Sequence, residues 1–257
     1  MTEKQVQFRT TTWRGLSGAL KTMRKKSKLD LQCDEVGWPL NTTHGYYVGS
    51  GKWSFNEIVN CGPEEFVAAQ LAAVGFKCCW CEGGSLNLLM KAAALDVLVR
   101  RNIFGARVDA IRRFLEAQFT LLNDHRLELV SCIRSIPDDQ LQANILEICS
   151  DGFIRSYYPR VSSAFVTALA QAVGQHHLAE VATLCITKPY EYRAGWPDLT
   201  IIGDDGFSLI EVKTTDALHI SQLRFAREMA KPLMLNCSVT RLRPVNQSNH
   251  LPIDRDG

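Results

Sequence analysis

Residues 193–213 have the sequence RAGWPDLTIIGDDGFSLIEVK, and this stretch carries the strongest fold signal in the chain. Within it, Leu199 to Ile202 and Phe207 to Val212 are short apolar runs rich in branched residues, as buried strands are. The intervening Gly203 to Gly206 has the composition of a turn. The stretch therefore predicts a β-hairpin.

Charged side chains stand where the two arms of this hairpin can bring them together. In Glu211, Val212 and Lys213 the first and third side chains lie on one face of the strand, while Val212 points to the core. Asp198 begins the partner strand, so its carboxylate can reach the same point. Two such carboxylates can hold a divalent cation for phosphodiester hydrolysis, with Lys213 placed to orient or deprotonate water. The alternative is a surface hairpin with a chance salt bridge between Glu211 and Lys213.

The ordered set of these residues resembles the VRR-NUC branch of the PD-(D/E)xK nucleases. The set consists of Arg193, Ala194, Gly195, Trp196, Pro197, Asp198, Glu211, Val212, Lys213 and Gln222. A lone Glu-x-Lys would carry little information, whereas the lead-in, the hairpin spacing and the helical Gln together are specific. The resemblance implies DNA as substrate, Mg²⁺ or Mn²⁺ as cofactor, and catalytic roles for Asp198, Glu211 and Lys213. It also places Val212 among the metal-binding positions.

A second resemblance, to Fanconi-associated nuclease, covers roughly residues 62–243. It includes the helix from Pro63 to Gly75 and a broadly apolar, buried helix from Ser85 to Leu98. The resemblance implies that Glu82, just before the second helix, is a metal ligand beside Asp198 and Glu211. The alternative is that Glu82 caps that helix.

Arg193 and Gln222 are the candidate substrate-binding residues. A guanidinium before the hairpin can clamp a phosphate, but Arg193 can instead form a salt bridge with Glu191 or Glu211. The family role implied for Gln222 is to orient the site or contact the DNA backbone, and the alternative is an exposed helix residue. His219 departs from the family pattern, because it stands where a Ser often begins this helix.

The periodicity predicts a mixed α+β fold, with an α-helical N-terminal region packed on a restriction-endonuclease-like core. Beyond the hairpin, we expect helices at about 107–122, 138–149, 161–173 and 220–229, strands at 181–186 and 233–239, and irregular or short strands over 37–53. The expected divisions are a basic extension over 1–60, a helical region over 61–150, the nuclease domain over 151–243 and a loose tail over 244–257.

The composition is that of a globular protein, with 46% hydrophobic and 22% charged residues. The sequence shows neither a signal peptide nor an apolar run long enough for a membrane span, so we expect no membrane association and a cytoplasmic, nucleoid or nuclear location rather than secretion. The nine cysteines have no regular spacing and should be reduced thiols. Cys78, Cys79 and Cys81 have no second ligand pair at zinc-site distance.

Charge is concentrated at the N-terminus. Residues 1–28 carry eight Lys or Arg against Glu3, a net charge of +7, while the remaining 21 basic and 26 acidic residues give −5. This segment is either a phosphate-binding arm or a solvated tail.

The resemblance implies structure-selective DNA cleavage near 5′ flaps or ends, in DNA repair. One alternative is a Holliday-junction resolvase acting as a homodimer, which a symmetric pair of sites would reveal; the sequence leaves the oligomeric state open. The other is a non-catalytic DNA-binding module. Two carboxylates facing a polyanion argue against the module, because a pure binder has no need of them.

Overall fold

The computed structural model describes residues 25–55, 58–102, 105–215 and 217–245. The predicted basic arm as far as Arg24 and the predicted tail from residue 246 lie outside the described residues.

Seven strands of the described chain form one mixed sheet. They are β1 (Leu40–Gly49), β2 (Lys52–Phe55), β3 (Ile58–Cys61), β4 (Lys77–Trp80), β5 (Leu199–Gly203), β6 (Gly206–Lys213) and β7 (Cys237–Pro244). Their order in the sheet is β3-β2-β1-β7-β6-β5-β4. β7 pairs in parallel with both β1 and β6, and the other pairings are antiparallel. The sheet thus combines three strands from the first 61 residues with the predicted hairpin.

Eleven α-helices pack around this sheet in the described part of the chain. They are α1 (Lys28–Val36), α2 (Pro63–Ala73), α3 (Gly84–Arg100), α4 (Arg107–Arg112), α5 (Leu115–Leu121), α6 (Arg126–Ser135), α7 (Asp138–Ser150), α8 (Gly152–Tyr157), α9 (Ser163–Val173), α10 (Gln175–Thr187) and α11 (Ile220–Phe225). A π-helical turn, Ala226–Ala230, follows α11. None of the described helices has the length and apolar character needed to cross a bilayer.

The predicted hairpin and the predicted fold class are confirmed. β5 and β6 are antiparallel neighbours, and Gly203 pairs with Gly206 across a two-residue turn. Gly206 has φ +106°, a backbone conformation that residues with a Cβ rarely adopt. This explains why glycine stands at the end of the turn.

The two faces of the sheet bury different clusters. Alternate residues of β6 illustrate this: Ile210 and Val212 pack with Phe66 of α2, whereas Leu209 belongs to the larger helical core. α3 runs through that larger core and is buried along nearly its whole length, as its apolar circumference predicts. Glu211 and Lys213 therefore lie on the same face of the sheet as Leu209, the face toward the larger helical core.

One predicted strand is wrong. The segment from Val181 to Ile186 belongs to α10, in which Leu178, Val181, Ala182 and Cys185 are buried at helical spacing. A short apolar run does not distinguish a buried strand from one face of a buried helix.

Other boundaries also differ from the predictions. The last strand begins at Cys237 rather than Leu233, because Met234 has φ +51° in a turn and Cys237 is the first residue to pair with β6. The helix predicted over 107–122 is interrupted by the extended Arg113 and Phe114. The region from Gly37 to Trp53 contains the ten-residue β1, because pairing with β7 orders a polar segment that lacks a strand pattern of its own.

Candidate active site

A cleft of about 560 Å³ lies where the hairpin meets the helices. We call the set Asp198, Glu211, Lys213 and Gln222 the hairpin wall, and the set Glu82, Phe114, Glu116, Tyr157 and Tyr158 the helical wall. The cleft therefore gathers side chains from positions 64 to 222, including every site residue predicted from the sequence.

Asp198 lies just before β5, beside the strand that carries Glu211. Its Oδ2 accepts a hydrogen bond from the main-chain N–H of Val212 at 2.8 Å. The side chain thus takes the place of a strand partner at the end of the hairpin and fixes the carboxylate. Val212 itself is buried in the apolar cluster below the sheet, as predicted, so only its main-chain atoms can serve the site.

Glu211 is almost fully buried, with 1% of its surface exposed. Its Oε1 lies 2.6 Å from Lys213 Nζ and accepts a hydrogen bond from Gln222 Nε2 at 2.5 Å. Its Oε2 is buried and accepts no hydrogen bond from the described residues. The Glu211–Lys213 ion pair anticipated as a chance surface contact is therefore present, but it is buried inside the cleft.

Burial disfavours the ionised forms of both carboxyl groups, and Glu211 further disfavours the ionised form of Asp198. Burial, the neighbouring Glu211 and the charge of Glu64 together raise the pKa of Asp198 to about 8, against the Val212 hydrogen bond. Burial also raises the pKa of Glu211, and the Lys213 ammonium offsets part of that rise. A buried pair of this kind is stabilised in its fully ionised form by additional positive charge.

Gln222 is buried rather than an exposed helix residue. Its Oε1 accepts a hydrogen bond from the main-chain N–H of His219, the N-cap of α11, at 2.8 Å. Its Nε2 then has a fixed direction toward Glu211. His219 thus begins the helix through its backbone, so the departure from Ser does not prevent α11 from presenting Gln222.

The loop before Asp198 depends on two close approaches that only glycine permits. Gly195 has φ +99°, and a Cβ there would lie 2.2 Å from the main-chain oxygen of Ser221. A Cβ at Gly83 would lie 2.4 Å from the Trp196 ring. Trp196 also donates a hydrogen bond to the Tyr192 carbonyl at 2.7 Å. These contacts hold the Arg-Ala-Gly-Trp-Pro segment between the start of α3 and α11, and so position Asp198.

Glu82 lies in the same cleft, with an exposed side chain. The capping alternative is not supported, because Gly83 is the N-cap of α3 and no side chain caps that helix. Glu82 has φ +45°, and its N–H donates a 3.3 Å hydrogen bond to the Asp198 carbonyl. The two residues are therefore connected through the backbone, and the role of Glu82 as a metal ligand stays a prediction.

Arg193 pairs with neither of the acids considered from the sequence. Its Nη1 lies 3.8 Å from Glu116 Oε1, and most of its side chain is exposed in the cleft. An ion pair of this length in solvent contributes little to stability, so the guanidinium remains accessible to a ligand.

Glu64 is a cleft residue that the sequence reasoning assigned only to the start of α2. Its charge contributes to the raised pKa of Asp198. Pro63 and the adjacent acids predicted the start of a helix. They did not predict which part of the sheet lies next to that start.

The donor set at the hairpin wall fits a hard divalent cation. Asp198 and the free Oε2 of Glu211 are oxygen donors, and both carboxyl groups have a raised pKa that a cation would lower. Within the described residues, however, no three His, Cys, Asp or Glu side chains are grouped closely enough to form a metal site by themselves. A cation at Asp198 and Glu211 would thus need further oxygen ligands.

Two crystal structures resemble this fold. They are paFAN1 bound to 2-nt 5′-flap DNA with a gap and paFAN1 bound to 1-nt 5′-flap DNA with a gap. Each has a TM-score of 0.59 and 16% sequence identity over 81% of this chain. The fold is similar to that of paFAN1. This chain covers 38% of the length of each paFAN1 chain. No protein-family model and no curated protein sequence matches this chain.

Proposed function

We propose that the protein is a metal-dependent, structure-selective DNA nuclease that hydrolyses phosphodiester bonds near 5′ flaps or ends. The observation that carries the proposal is the half-buried Asp198 next to the buried Glu211, with Lys213 beside them, in an open cleft. A buried carboxylate oxygen without a hydrogen-bond donor is costly, and a bound cation would offset that cost.

Each residue of the hairpin wall has a role in this proposal. Asp198 and Glu211 would hold Mg²⁺ or Mn²⁺, with Val212 contributing a main-chain oxygen. The cation, when bound, would supply charge neutralisation and an acidified water. Lys213 would orient that water through its ammonium group, and Gln222 would hold Glu211 Oε1 in place.

The likeness to paFAN1 supports the choice of substrate. The paFAN1 structures hold 5′-flap DNA, and their fold resembles that of this protein over 81% of the chain. Arg193, exposed beside the hairpin wall, would contact a phosphate of the strand in the cleft. A role in DNA repair is part of the proposal.

The test is cleavage of end-labelled 5′ flaps, nicks, single strands and four-way junctions with Mg²⁺ or Mn²⁺. We expect wild type to cut flaps or ends faster than intact duplex. Asp198→Asn is the matched control, because it keeps the side-chain shape and leaves an oxygen for the Val212 N–H. Equal cutting by Asp198→Asn would mean that a contaminant or another site is responsible. Preferred cutting of four-way junctions by a dimer would favour the resolvase alternative.

A further inference from the structure

Three exposed aromatic side chains lie together at one end of the cleft. Phe114 and Tyr157 have ring centroids 4.9 Å apart, and Phe153 lies 6.4 Å from Tyr157 with ring planes only 15° apart. Their exposed fractions are 40% for Phe114, 41% for Phe153 and 53% for Tyr157. We call these three residues the aromatic platform. Contiguous exposed apolar surface on a soluble protein commonly marks a binding site.

The platform is continuous with the candidate active site. Phe114 and Tyr157 line the same cleft as Asp198 and Glu211. Tyr158 connects the two regions. Its ring packs edge-on against Tyr157, with ring centroids 4.9 Å apart, and its other side faces the first turn of α3. There a Cβ added to Gly84 would meet the Tyr158 ring at 2.6 Å.

Buried polar contacts hold the Phe114 side of the platform in place. Lys91 is buried inside α3, and its ammonium donates hydrogen bonds to the carbonyls of Ile111, at 2.6 Å, and Arg113. These carbonyls lie at the C-terminal end of α4, directly before Phe114. The break between α4 and α5 is therefore a fixed corner that presents the Phe114 ring.

The Tyr157 side is held by a helix cap. Asp151 accepts a hydrogen bond from the N–H of Phe153 at 2.9 Å at the start of α8. The same carboxylate pairs with Arg112 of α4 at 3.0 Å. α8 is thereby tied to the corner that carries Phe114, so the rings are arranged before any ligand arrives.

Positive charge accompanies the rings. Arg160 stacks on Trp80 at 4.0 Å in a neighbouring pocket that Tyr157 and Tyr158 also line. Arg193 lies in the cleft itself. Aromatic rings combined with guanidinium groups are what single-stranded nucleic acid binds, since the bases stack and the phosphates are neutralised.

We propose that the aromatic platform stacks on an unpaired nucleobase of the DNA strand that occupies the cleft. This inference rests on the proposed DNA nuclease function and adds to it a preference for a substrate with unpaired nucleotides. The base must be unpaired, because bases inside a duplex are already stacked on each other. Stacking on a ring tolerates any base, so the platform would select structure rather than sequence.

The experiment measures binding of the full chain to fluorescently labelled DNA in EDTA, so that no strand is cut. A 5′-flap substrate is compared with a fully paired duplex of the same length. Tyr157→Leu and Phe114→Leu remove a ring but keep apolar bulk, and Tyr157→Phe keeps the ring. Leu127→Ala, at an 80% exposed leucine of α6 outside the cleft, is the matched surface control. Circular dichroism checks that each variant is folded.

We expect Tyr157→Leu and Phe114→Leu each to weaken flap binding by roughly 5- to 100-fold, the range for losing one base–aromatic stack. Duplex binding should change by less than about twofold. Tyr157→Phe and Leu127→Ala should bind as wild type does. 2-Aminopurine at the first unpaired position should lose fluorescence on binding wild type and retain it with Tyr157→Leu.

Different results overturn different claims. Tight flap binding and unchanged quenching in both leucine variants would overturn the platform, while cleavage by the same proteins would leave the nuclease function standing. An equal loss of duplex binding would show that the rings contact paired DNA or another part of the complex, which also overturns the inference. Platform-dependent flap binding by a wild type that cuts nothing would uphold the platform and refute the nuclease function. Absence of DNA binding would refute both.

Discussion

The hairpin wall and the helical wall of the cleft are built in opposite ways. Glu211, Lys213 and Gln222 are buried, charged or polar, and fixed to one another by bonds of 2.5 and 2.6 Å. Glu82 and Tyr157 on the other wall are exposed and come from parts of the chain far apart in sequence. In the proposed function, the buried and fixed hairpin wall would hold the cation, and the exposed helical wall would contact the rest of the substrate.

Glu211→Gln has the largest expected effect and tests whether the hairpin wall, unlike the helical wall, holds the cation. The change keeps the size of the side chain but removes the charge that would hold a cation, so we expect cleavage to fall by about 10³-fold or more. DNA binding should stay equal or become tighter, because a negative charge near phosphate is lost. Single-turnover cleavage and binding in EDTA measure the two effects.

Metal-dependent stability gives a readout of the same site without catalysis. Mn²⁺ should raise the melting temperature of wild type but not of Glu211→Gln, because a cation that binds only the folded state stabilises it. Glu65→Gln, an exposed acid of α2 outside the cleft, is the matched control. Equal stabilisation of Glu211→Gln and wild type would remove Glu211 from the metal site.

Glu82→Gln tests whether the helical wall shares the chemistry. If Glu82 supplies a ligand to the cation, turnover should fall by roughly 10- to 100-fold at unchanged thermal stability, with partial recovery in Mn²⁺, which accepts weaker ligands better than Mg²⁺. Wild-type turnover by Glu82→Gln in limiting Mg²⁺ would confine the metal to the hairpin wall and leave α3 as scaffold.

Gln222→Met tests whether the hydrogen bond from Gln222 positions Glu211 for the cation. The substitution keeps most of the volume but removes the donor to Glu211 Oε1, so we expect about a tenfold increase in the Mg²⁺ concentration needed for half-maximal cleavage. Cleavage at saturating Mg²⁺ should change less. Gln70→Met is the control, because it removes the acceptor of the Thr43 hydroxyl away from the cleft, and it should leave the Mg²⁺ dependence unchanged.

Lys91→Met has the smallest expected effect on cleavage and tests the support of the helical wall. Burial lowers the pKa of Lys91 to about 8 from 10.5, so the unfolded chain binds more protons between these values. The contribution of Lys91 to folding stability should therefore rise as the pH increases from about 8 to 10.5. The stability of wild type relative to Lys91→Met should increase by on the order of 2 kcal/mol over that range.

Denaturant unfolding at pH 7 and pH 10 measures this difference. Lys77→Met, at an exposed lysine of β4, is the control and should show no such pH dependence. An unchanged difference for Lys91→Met would show that the Lys91 ammonium is not buried in solution.

The pattern of neighbouring residues was sufficient to predict features that lie within one helix or one hairpin. The hairpin, the shared face of Glu211 and Lys213, and the buried α3 follow from residue periodicity, because strand and helix geometry fix which side chains lie together. The same reasoning failed for Val181 to Ile186, because an apolar run states that a segment is buried without stating its backbone geometry.

The sequence by itself determined three of the four residues of the hairpin wall, since Asp198, Glu211 and Lys213 are brought together by one turn. Only the tertiary structure decided what faces it. Glu64, Phe114 and Tyr157 reach the cleft through contacts between elements far apart in the chain, and Gly83 and Gly195 matter because of the atoms that approach them. Such contacts depend on how whole helices pack against the sheet, and no short-range pattern of residues encodes that packing.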